Sequence, residues 1–354
     1  MTIYDIAEMA GVSASSVSRV INGKPGVNRK KRAEIEALLH EHHYMPDENA
    51  RNLVLQENHT VGILTDNLNE DVRMSDGLVR AEYELLRNGY YCFVKYIGKG
   101  SNAIEEGVKD LARHRVQGAL LMGVSFRNTK ELKRVLERYL PDTPVCFANQ
   151  KSDDLGSNVY MVNTDEREGF ERCVALMVRK KRKHLALMID KGRPSLEIIR
   201  TGFMDGLRKA PGLTGIVYTN IPATIEGGEK AVIRLLAEHP EVDGLLCASD
   251  MVAIGALNEL QGRGIRVPEQ IAILGEDNSP YCEVCRPKLS SMDTMLPTAV
   301  LTCTRTLIDV LNGVVASHYT SLQMQIVERM TVVLNYYRIV ACRCTRGRQL
   351  LCAA

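Results

Sequence analysis

The periodicity of the sequence changes near residue 60, and this change limits the folds that the chain can adopt. Before this point apolar residues recur at helical spacing, as Ile3, Ile6 and Ala7 do. After it, short apolar runs alternate with amphipathic helical stretches. Strands separated by helices pair in parallel, and both faces of the resulting sheet are covered. The pattern therefore predicts a small helical domain followed by a larger α/β domain.

Two series of strands and helices follow residue 60. The first predicts strands at 60–64, 90–94 and 118–122 and helices near 74–88 and 103–113. The second predicts strands near 185–189, 244–247 and 272–274 and helices near 198–207, 230–238 and 251–262. We expect two doubly wound lobes, with a ligand cleft at the carboxyl ends of their strands.

Three short helices are predicted within residues 1–45. The expected caps and turn residues are Thr2, Ser13 and Asn28 at the helix starts, Gly11 in the first turn and Gly23 after the second helix. Two short helices joined by a tight turn that contains glycine are typical of a helix-turn-helix.

Positive charge is concentrated in this N-terminal domain. Over the whole chain Lys and Arg outnumber Asp and Glu by only 45 to 43, so the average composition indicates no nucleic-acid partner. Residues 19–32, however, contain Arg19, Lys24, Arg29, Lys30, Lys31 and Arg32 and no acid. Such an edge suits phosphates. The alternative is a helical hairpin used for packing, with these cations as a solvated face.

The segment from Asp5 to Gly23 resembles the headpiece of the lactose-repressor and galactose-repressor family of bacterial transcription regulators. Tyr44-Met45-Pro46 and Ala50-Arg51-Asn52-Leu53 resemble its hinge. Further similarity lies in 61–63, 200–203, 249–257, 267–268, 275–278, 287–291 and 328–329. The resemblance covers residues 2 to about 330.

This resemblance implies an α/β chain with an N-terminal headpiece, a hinge and a two-lobed core. Residues 1–45 would form a three-helix helix-turn-helix headpiece, and 46–59 a hinge helix or linker. Residues 60–330 would form a periplasmic-binding-protein-like core of doubly wound parallel sheets, with crossovers between lobes near 161, 291 and 320. Residues 331–354 are a basic, cysteine-containing tail whose role is open.

The implied function is that of a sequence-specific DNA-binding transcription regulator, a repressor that binds a near-palindromic operator as a homodimer. A small metabolite, a sugar or a sugar-like molecule, would change its affinity from the cleft between the lobes. A solute-sensing protein with a degenerate headpiece is the alternative. An enzyme that uses the cleft is more remote, because the sequence shows no catalytic constellation.

The second helix is expected in the major groove, where Arg19 would make a bidentate contact to guanine. By resemblance to the family hinge, Leu53 would insert between base steps in the minor groove, and a plain linker is the alternative. The predicted DNA-binding residues are Thr2, Ile3, Tyr4, Ser13, Ala14, Ser15, Ser16, Ser18, Arg19, Asn22, Asn28, Lys31, Ala50 and Leu53.

The predicted effector-binding residues are Asp66, Asn149, Arg200, Ile221, Ser249 and Asp277. Asp277 matches a family position whose carboxylate holds effector hydroxyls or amines. Carboxylates and amides at strand ends suit a polyhydroxylated ligand, although strand-end caps and turns use the same residue types. Arg200 lies one residue away from the position of the family arginine, and Ile221 stands where the family has an aromatic platform. Either the effector is unusual or the site has degenerated.

The chain is expected in the cytoplasm, associated with the nucleoid, because the N-terminus lacks a basic-then-apolar signal. An apolar run of the roughly 18 residues needed for a membrane helix is also absent, so no membrane partner is expected. The ten cysteines are interpreted as reduced core residues. Cys282 and Cys285 have the spacing of metal ligands, but no second pair completes a zinc site, and we expect no metal and no cofactor.

Overall fold

The computed structural model describes residues 1–21, 23–44, 59–66, 72–98, 100, 102–123, 126, 129–148 and 155–333. The chain divides into two compact units, one within residues 1–59 and one from residue 60 onward. The predicted hinge segment, apart from His59, and residues 334–354 of the predicted tail lie outside the described residues. So do four predicted site residues: Asn22, Ala50, Leu53 and Asn149.

Three helices form the described part of the N-terminal unit: α1 (Ile3–Met9), α2 (Ala14–Ile21) and α3 (Arg29–Glu41). The predicted caps Thr2, Ser13 and Asn28 are confirmed, since the side chain of each accepts a hydrogen bond from a backbone N–H in the first turn of its helix. One such cap is worth about 1 kcal/mol, which matters in a unit with a small core.

The turns and the core of this unit follow from a few residues. Gly11 and Gly23 follow α1 and α2 with φ of +58° and +64°, a conformation that glycine adopts without a steric penalty. The buried apolar side chains among its described residues are Ile6, Ala7, Ala10, Val17, Val20 and Ile35. The predicted helical faces therefore meet in one core.

The described core follows the predicted alternation of strand and helix. In chain order its elements are β1 (Thr60–Thr65), α4 (Val72–Arg87), β2 (Tyr91–Tyr96), α5 (Ala103–Arg113), β3 (Gly118–Met122), α6 (Thr129–Tyr139), β4 (Val145–Ala148), β5 (Val159–Thr164), α7 (Glu166–Arg179), β6 (His184–Asp190), α8 (Leu196–Arg208), β7 (Thr214–Ile221), α9 (Ile225–Glu238), β8 (Gly244–Cys247), α10 (Asp250–Gly262), β9 (Ala272–Glu276), α11 (Tyr281–Val284), β10 (Ser290–Asp293), α12 (Leu296–Leu311), β11 (Tyr319–Leu322) and β12 (Gln325–Val327).

Two sheets define two lobes. The first lobe has the strand order β11-β5-β4-β3-β1-β2, and the second has β12-β10-β9-β8-β6-β7. The described pairs are parallel, except that β12 runs antiparallel to β10. Helices α5 and α6 cover one face of the first sheet, and α4 and α12 cover the other. Helices α9 and α10 cover one face of the second sheet, and α7 and α8 cover the other. The predicted fold class, with two doubly wound parallel lobes, is confirmed.

Within residues 155–333 the chain passes between the lobes at three places. It leaves β5 of the first sheet for α7, leaves β10 of the second sheet for α12, and leaves β11 of the first sheet for β12. None of the described helices is both long and apolar enough to cross a membrane.

Helices α9 and α10 approach each other closely because glycines lie where they meet. A Cβ atom on Gly255 would collide with the carbonyl oxygen of Ile225, and one on Gly228 would collide with that of Val252. Both obstacles are backbone atoms, so no side-chain rotation relieves the clash. The short distance between these two helices therefore depends on the two glycines.

We expect Gly255→Ala to destabilise the core by about 1–3 kcal/mol, the usual effect of overpacking. The matched control is Gly262→Ala in the same helix, because a Cβ there meets nothing within 4 Å. Since alanine is the better helix former, this control should be neutral or slightly stabilising. Urea unfolding followed by circular dichroism measures both, and equal midpoints for the two variants would contradict the role assigned to Gly255.

Candidate nucleic-acid interface and ligand cleft

Helix α2 turns an apolar face inward and a polar face to solvent. Val17 and Val20 are buried, whereas Ser15 and Arg19 are exposed. At the start of this helix Ser13 Oγ lies 2.8 Å from Ser15 Oγ and 3.0 Å from Ser16 Oγ. The exposed face of α2 thus begins with a cluster of short hydroxyl side chains and ends with a guanidinium group.

The cations of residues 19–32 differ in the contacts that they make within the headpiece. Arg32 donates a hydrogen bond of 2.6 Å to the carbonyl oxygen of Lys24, and Lys31 forms a 3.0 Å ion pair with Glu34. Arg19 passes over Gly26, where a Cβ atom would lie 2.7 Å from its Nη1. Part of the positive charge counted from the sequence therefore stabilises the headpiece itself.

The predicted DNA-binding residues that the structure describes are all accessible to some degree. Thr2, Tyr4, Ser13, Ser15, Arg19 and Asn28 are exposed, and Ile3, Ala14, Ser16, Ser18 and Lys31 are half-buried. Tyr4 is 73% exposed. Packing in the small core therefore does not explain an aromatic residue at this position.

The carboxyl edge of the second sheet contains a buried cluster of charges around Arg193. This residue follows β6, and only 14% of its side chain is exposed. It donates to Glu276 Oε2 at 2.6 Å and to the carbonyl oxygen of Ala248. Asp190 Oδ1 and Glu166 Oε1 lie 3.5 Å and 3.6 Å from its nitrogens. One guanidinium thus faces three carboxylates.

Burial and charge act in opposite directions in this Arg193 cluster. Burial raises the pKa of the Glu276 carboxyl well above its ordinary value, and Arg193 opposes the rise. Burial alone would lower the pKa of Arg193, but its carboxylate neighbours, Glu276 first, outweigh burial and raise it. Within the described residues, Glu276 Oε1 is buried without a hydrogen-bond partner. The cluster therefore keeps an unused acceptor next to its ion pair.

A second arginine connects the lobes. Arg73, in the first turn of α4, lies with Nη1 2.6 Å from Asp277 Oδ1 and 2.8 Å from Thr294 Oγ1. Asp277 directly follows β9 of the second sheet and has a φ of +115°, a strained conformation for a residue with a side chain. Its backbone N–H donates to the carbonyl oxygen of Met292 at 2.8 Å, which fixes the carboxylate in place.

The structure brings only some of the predicted effector-binding residues to this edge. Asp277 lies there as predicted. Ser249 is the last residue of the short connection from β8 to α10. It caps α10, because its side chain accepts a hydrogen bond from Met251 N at 3.2 Å. Asp66 is buried at the end of β1 in the first lobe and packs against Gly123.

Two of these predictions are corrected. Arg200 lies on the exposed face of α8 and pairs with Glu197 at 3.7 Å, because the buried face of this helix is formed by Ile199 and Phe203. Ile221, the last residue of β7, is buried in the apolar core under α9 and α10. Neither side chain belongs to the charged edge, so we do not retain either as an effector ligand.

Sequence reasoning missed Arg193, Glu276 and Arg73. Glu276 carried a signal, because it is an acid at the end of a strand that is otherwise buried and apolar. Arg193 lies in a connection and Arg73 begins a helix, and neither position has a periodicity that would single it out. Contacts between distant segments identify both.

Cys282 and Cys285 have the environment of structural cysteines. Cys282 is buried and its Sγ donates to Asp250 Oδ2 at 3.1 Å. Burial raises the pKa of both thiols, which keeps them protonated and poorly nucleophilic.

Comparison with known proteins gives consistent matches to both units. Residues 2–47 match the family described as bacterial regulatory proteins of the lacI family, and residues 174–332 match a periplasmic binding protein-like domain. An HTH-type transcriptional regulator of Lachnoclostridium phytofermentans is 25% identical over 344 residues, which are 94% of this chain and 99% of that protein. The probable transcriptional repressor ExuR of Bacillus subtilis is 24% identical and covers 82% of this chain and 86% of its own.

A similar fold occurs in a crystal structure of the Lac repressor dimer bound to operator and the anti-inducer ONPF. The TM-score is 0.83 at 22% identity, with 94% of this chain and 99% of that chain covered. The helix-turn-helix with its exposed polar face, the two parallel lobes and these matches lead to one assignment. The chain has an N-terminal helix-turn-helix of the lacI family and a periplasmic-binding-protein-like core, and it is a DNA-binding transcription regulator rather than an enzyme.

Proposed function

We propose that the chain is a repressor that binds a near-palindromic operator as a homodimer, and that a small metabolite in the cleft modulates its affinity. One observation carries the DNA-binding part: α2 is anchored by Val17 and Val20 and presents Ser15 and Arg19 to solvent. A cytoplasmic location at the nucleoid follows from this role.

In this proposal α2 lies in the major groove. Its short serine and alanine side chains permit a close approach, and the Arg19 guanidinium reaches the O6 and N7 acceptors of a guanine. The N-terminus of α3 faces phosphates with Asn28 and Lys31, which positions the headpiece without reading sequence. Asn22, Ala50 and Leu53 remain predictions from the sequence.

The metabolite acts by binding one conformation of the core more tightly than another. A ligand with equal affinity for both conformations would leave the equilibrium between them unchanged. A cleft at the carboxyl edge of the second sheet, bridged to the first lobe by Arg73, is suited to this. The Lac repressor structure, a dimer with operator and anti-inducer, supports the same arrangement here. A sugar or sugar-like effector is the hypothesis taken from the family.

An apolar surface on the first lobe suits the contact between two copies of the chain. Helix α4 exposes Val72, Val79, Tyr83 and Leu86, which share one helical face opposite its buried face. On the adjoining edge strand β2 the exposed Val94 and Tyr96 lie on the side of the sheet that α4 covers, the side of Cys92, whereas the exposed Tyr91 lies on the other side with Phe93. A contiguous exposed apolar patch is the usual mark of an interface, and we assign this one to a second copy because two-fold operators are read by two-fold proteins.

The decisive experiment for DNA binding is selection of bound duplexes from a random pool at two salt concentrations. We expect an enriched near-palindrome, because charge alone produces salt-sensitive binding without a motif. A folded protein that enriches nothing would overturn the regulator proposal and favour a solute-sensing protein with a degenerate headpiece.

Arg19→Ala should relax the sequence preference at one base pair per half-site, by about 1–3 kcal/mol of discrimination, because it removes the base contact. Lys31→Ala is the matched comparison, since it removes a cation assigned to phosphate. It should weaken binding to operator and random duplexes about equally and reduce the salt slope by about 1. Fluorescence anisotropy on both duplexes measures this. An Arg19→Ala variant with uniform losses would remove Arg19 from base readout.

Val79→Asp should weaken self-association by at least tenfold, because it places a charge in the middle of the apolar face of α4, where 62% of the valine is exposed. Ile198→Asp is the control, since this isoleucine is 51% exposed and lies on α8 of the second lobe. Sedimentation velocity at several protein concentrations reports the change. If both variants dimerise like the original chain, the interface lies elsewhere.

A further inference from the structure

The charges at the cleft are unbalanced in a way that restricts its ligand. Arg193 and Arg73 face Glu166, Asp190, Glu276 and Asp277. Four carboxylates thus face two guanidinium groups. The described edge therefore has an excess of negative charge.

Arg193 is not available to a ligand. Its nitrogens contact Glu276, Asp190, Glu166 and the carbonyl oxygen of Ala248, and its side chain is mostly buried. Breaking these contacts would leave buried carboxylates without their counter-charge, which is costly. An anionic ligand, or a neutral one that needs a free arginine donor, therefore finds no such donor in Arg193.

Asp277 and Thr294 already hold a guanidinium. The 2.6 Å and 2.8 Å contacts of Arg73 Nη1 are short, charge-assisted hydrogen bonds, and they join the two lobes. A buried acceptor, Glu276 Oε1, lies in the residue adjacent to Asp277 and has no hydrogen-bond partner among the described residues. The site thus combines a cation-binding position, which the Arg73 guanidinium occupies, with an adjacent carboxylate oxygen that has no hydrogen-bond partner among the described residues.

We propose that the cleft takes an organic cation, an amine or a guanidinium, which replaces the Arg73 guanidinium on Asp277 and Thr294. Arg73 is then a built-in occupant that holds the lobes together until the ligand displaces it. This inference rests on the proposed function in one respect, that the cleft is the effector site, and it replaces a neutral sugar with a ligand that carries positive charge.

Removing Arg73 should strengthen cation binding, because the ligand no longer competes with an internal group. The probe is agmatine, which has a guanidinium and an amine, titrated calorimetrically into the full chain. We expect Arg73→Ala to bind it about tenfold more tightly than the original chain does, in line with the loss of a competing state. Glucose, as the neutral polyhydroxyl probe, should not gain affinity.

Three further variants make the test specific. Arg80→Ala removes another arginine of α4, one that pairs with the exposed Asp76, and should leave agmatine affinity unchanged. Arg73→Ala combined with Asp277→Asn should lose agmatine binding. Arg73→Gln repeats the displacement with less loss of packing if the alanine variant unfolds.

No agmatine binding by any folded Arg73 variant, or agmatine binding that survives Asp277→Asn, would overturn the cation proposal. So would glucose binding that Arg73→Ala strengthens more than that of agmatine. The calorimetric titration contains no DNA and tests only the cleft, whereas the selection from a random pool tests the headpiece. Failure of the cation proposal is therefore distinguishable from failure of the proposed DNA-binding function.

Discussion

Parallel pairing of strands places the charged residues of the core at one edge of each sheet. The strands β8 and β9 are buried along their whole length, so a charge is tolerated only where a strand ends. Asp190 and Glu276 end β6 and β9, two strands of the same sheet, and their carboxylates consequently share one neighbourhood. Desolvation of such groups costs several kcal/mol each, and a guanidinium with several hydrogen bonds is the side chain that offsets this best. Arg193 fulfils that requirement, and the remaining properties of the cleft follow from its being fully engaged.

The sequence permits prediction of features that depend on local chemistry. Thr2, Asn28 and Gly23 mark helix boundaries through their own hydrogen bonds and dihedral angles, so the three helices of the headpiece could be placed without tertiary information. Arg200 shows the limit of prediction from local sequence. Adjacent residues on a helix differ by about 100° in direction, so an assignment displaced by one residue moves the side chain from the buried face of α8 to solvent. The strands β4, β5, β7 and β10 to β12 were not predicted, since short buried or edge strands lack a distinctive period. Arg73 and Arg193 were not predicted because their partners lie far away in sequence.

The bridge from Arg73 to Asp277 links the chemistry of the cleft to the relative placement of the lobes. An ion pair across two bodies stabilises the arrangement in which its ends meet, and any ligand that takes one end removes that stabilisation. The three passes of the chain between the lobes restrict how the lobes move when this happens. The Arg73 side chain is thus able to set an equilibrium between two placements of the lobes. A ligand can reverse this equilibrium if the net free energy that the ion pair contributes is small. The tenfold change in affinity expected on removing Arg73 corresponds to about 1.4 kcal/mol, so a metabolite of modest affinity is sufficient to shift this equilibrium.

Part of the positive charge of the headpiece is engaged within the unit, and this bears on how regulation would work. Arg32 and Lys31 already have partners within the unit, which lowers the electrostatic affinity that each headpiece contributes by itself. Under the proposed dimer, operator affinity then depends strongly on both headpieces binding at once, because the second binding event benefits from a high effective concentration. An effector that alters the spacing of the two copies removes this advantage without touching any DNA contact. Weak individual headpieces therefore make the regulator more sensitive to events in the cleft than strong ones would.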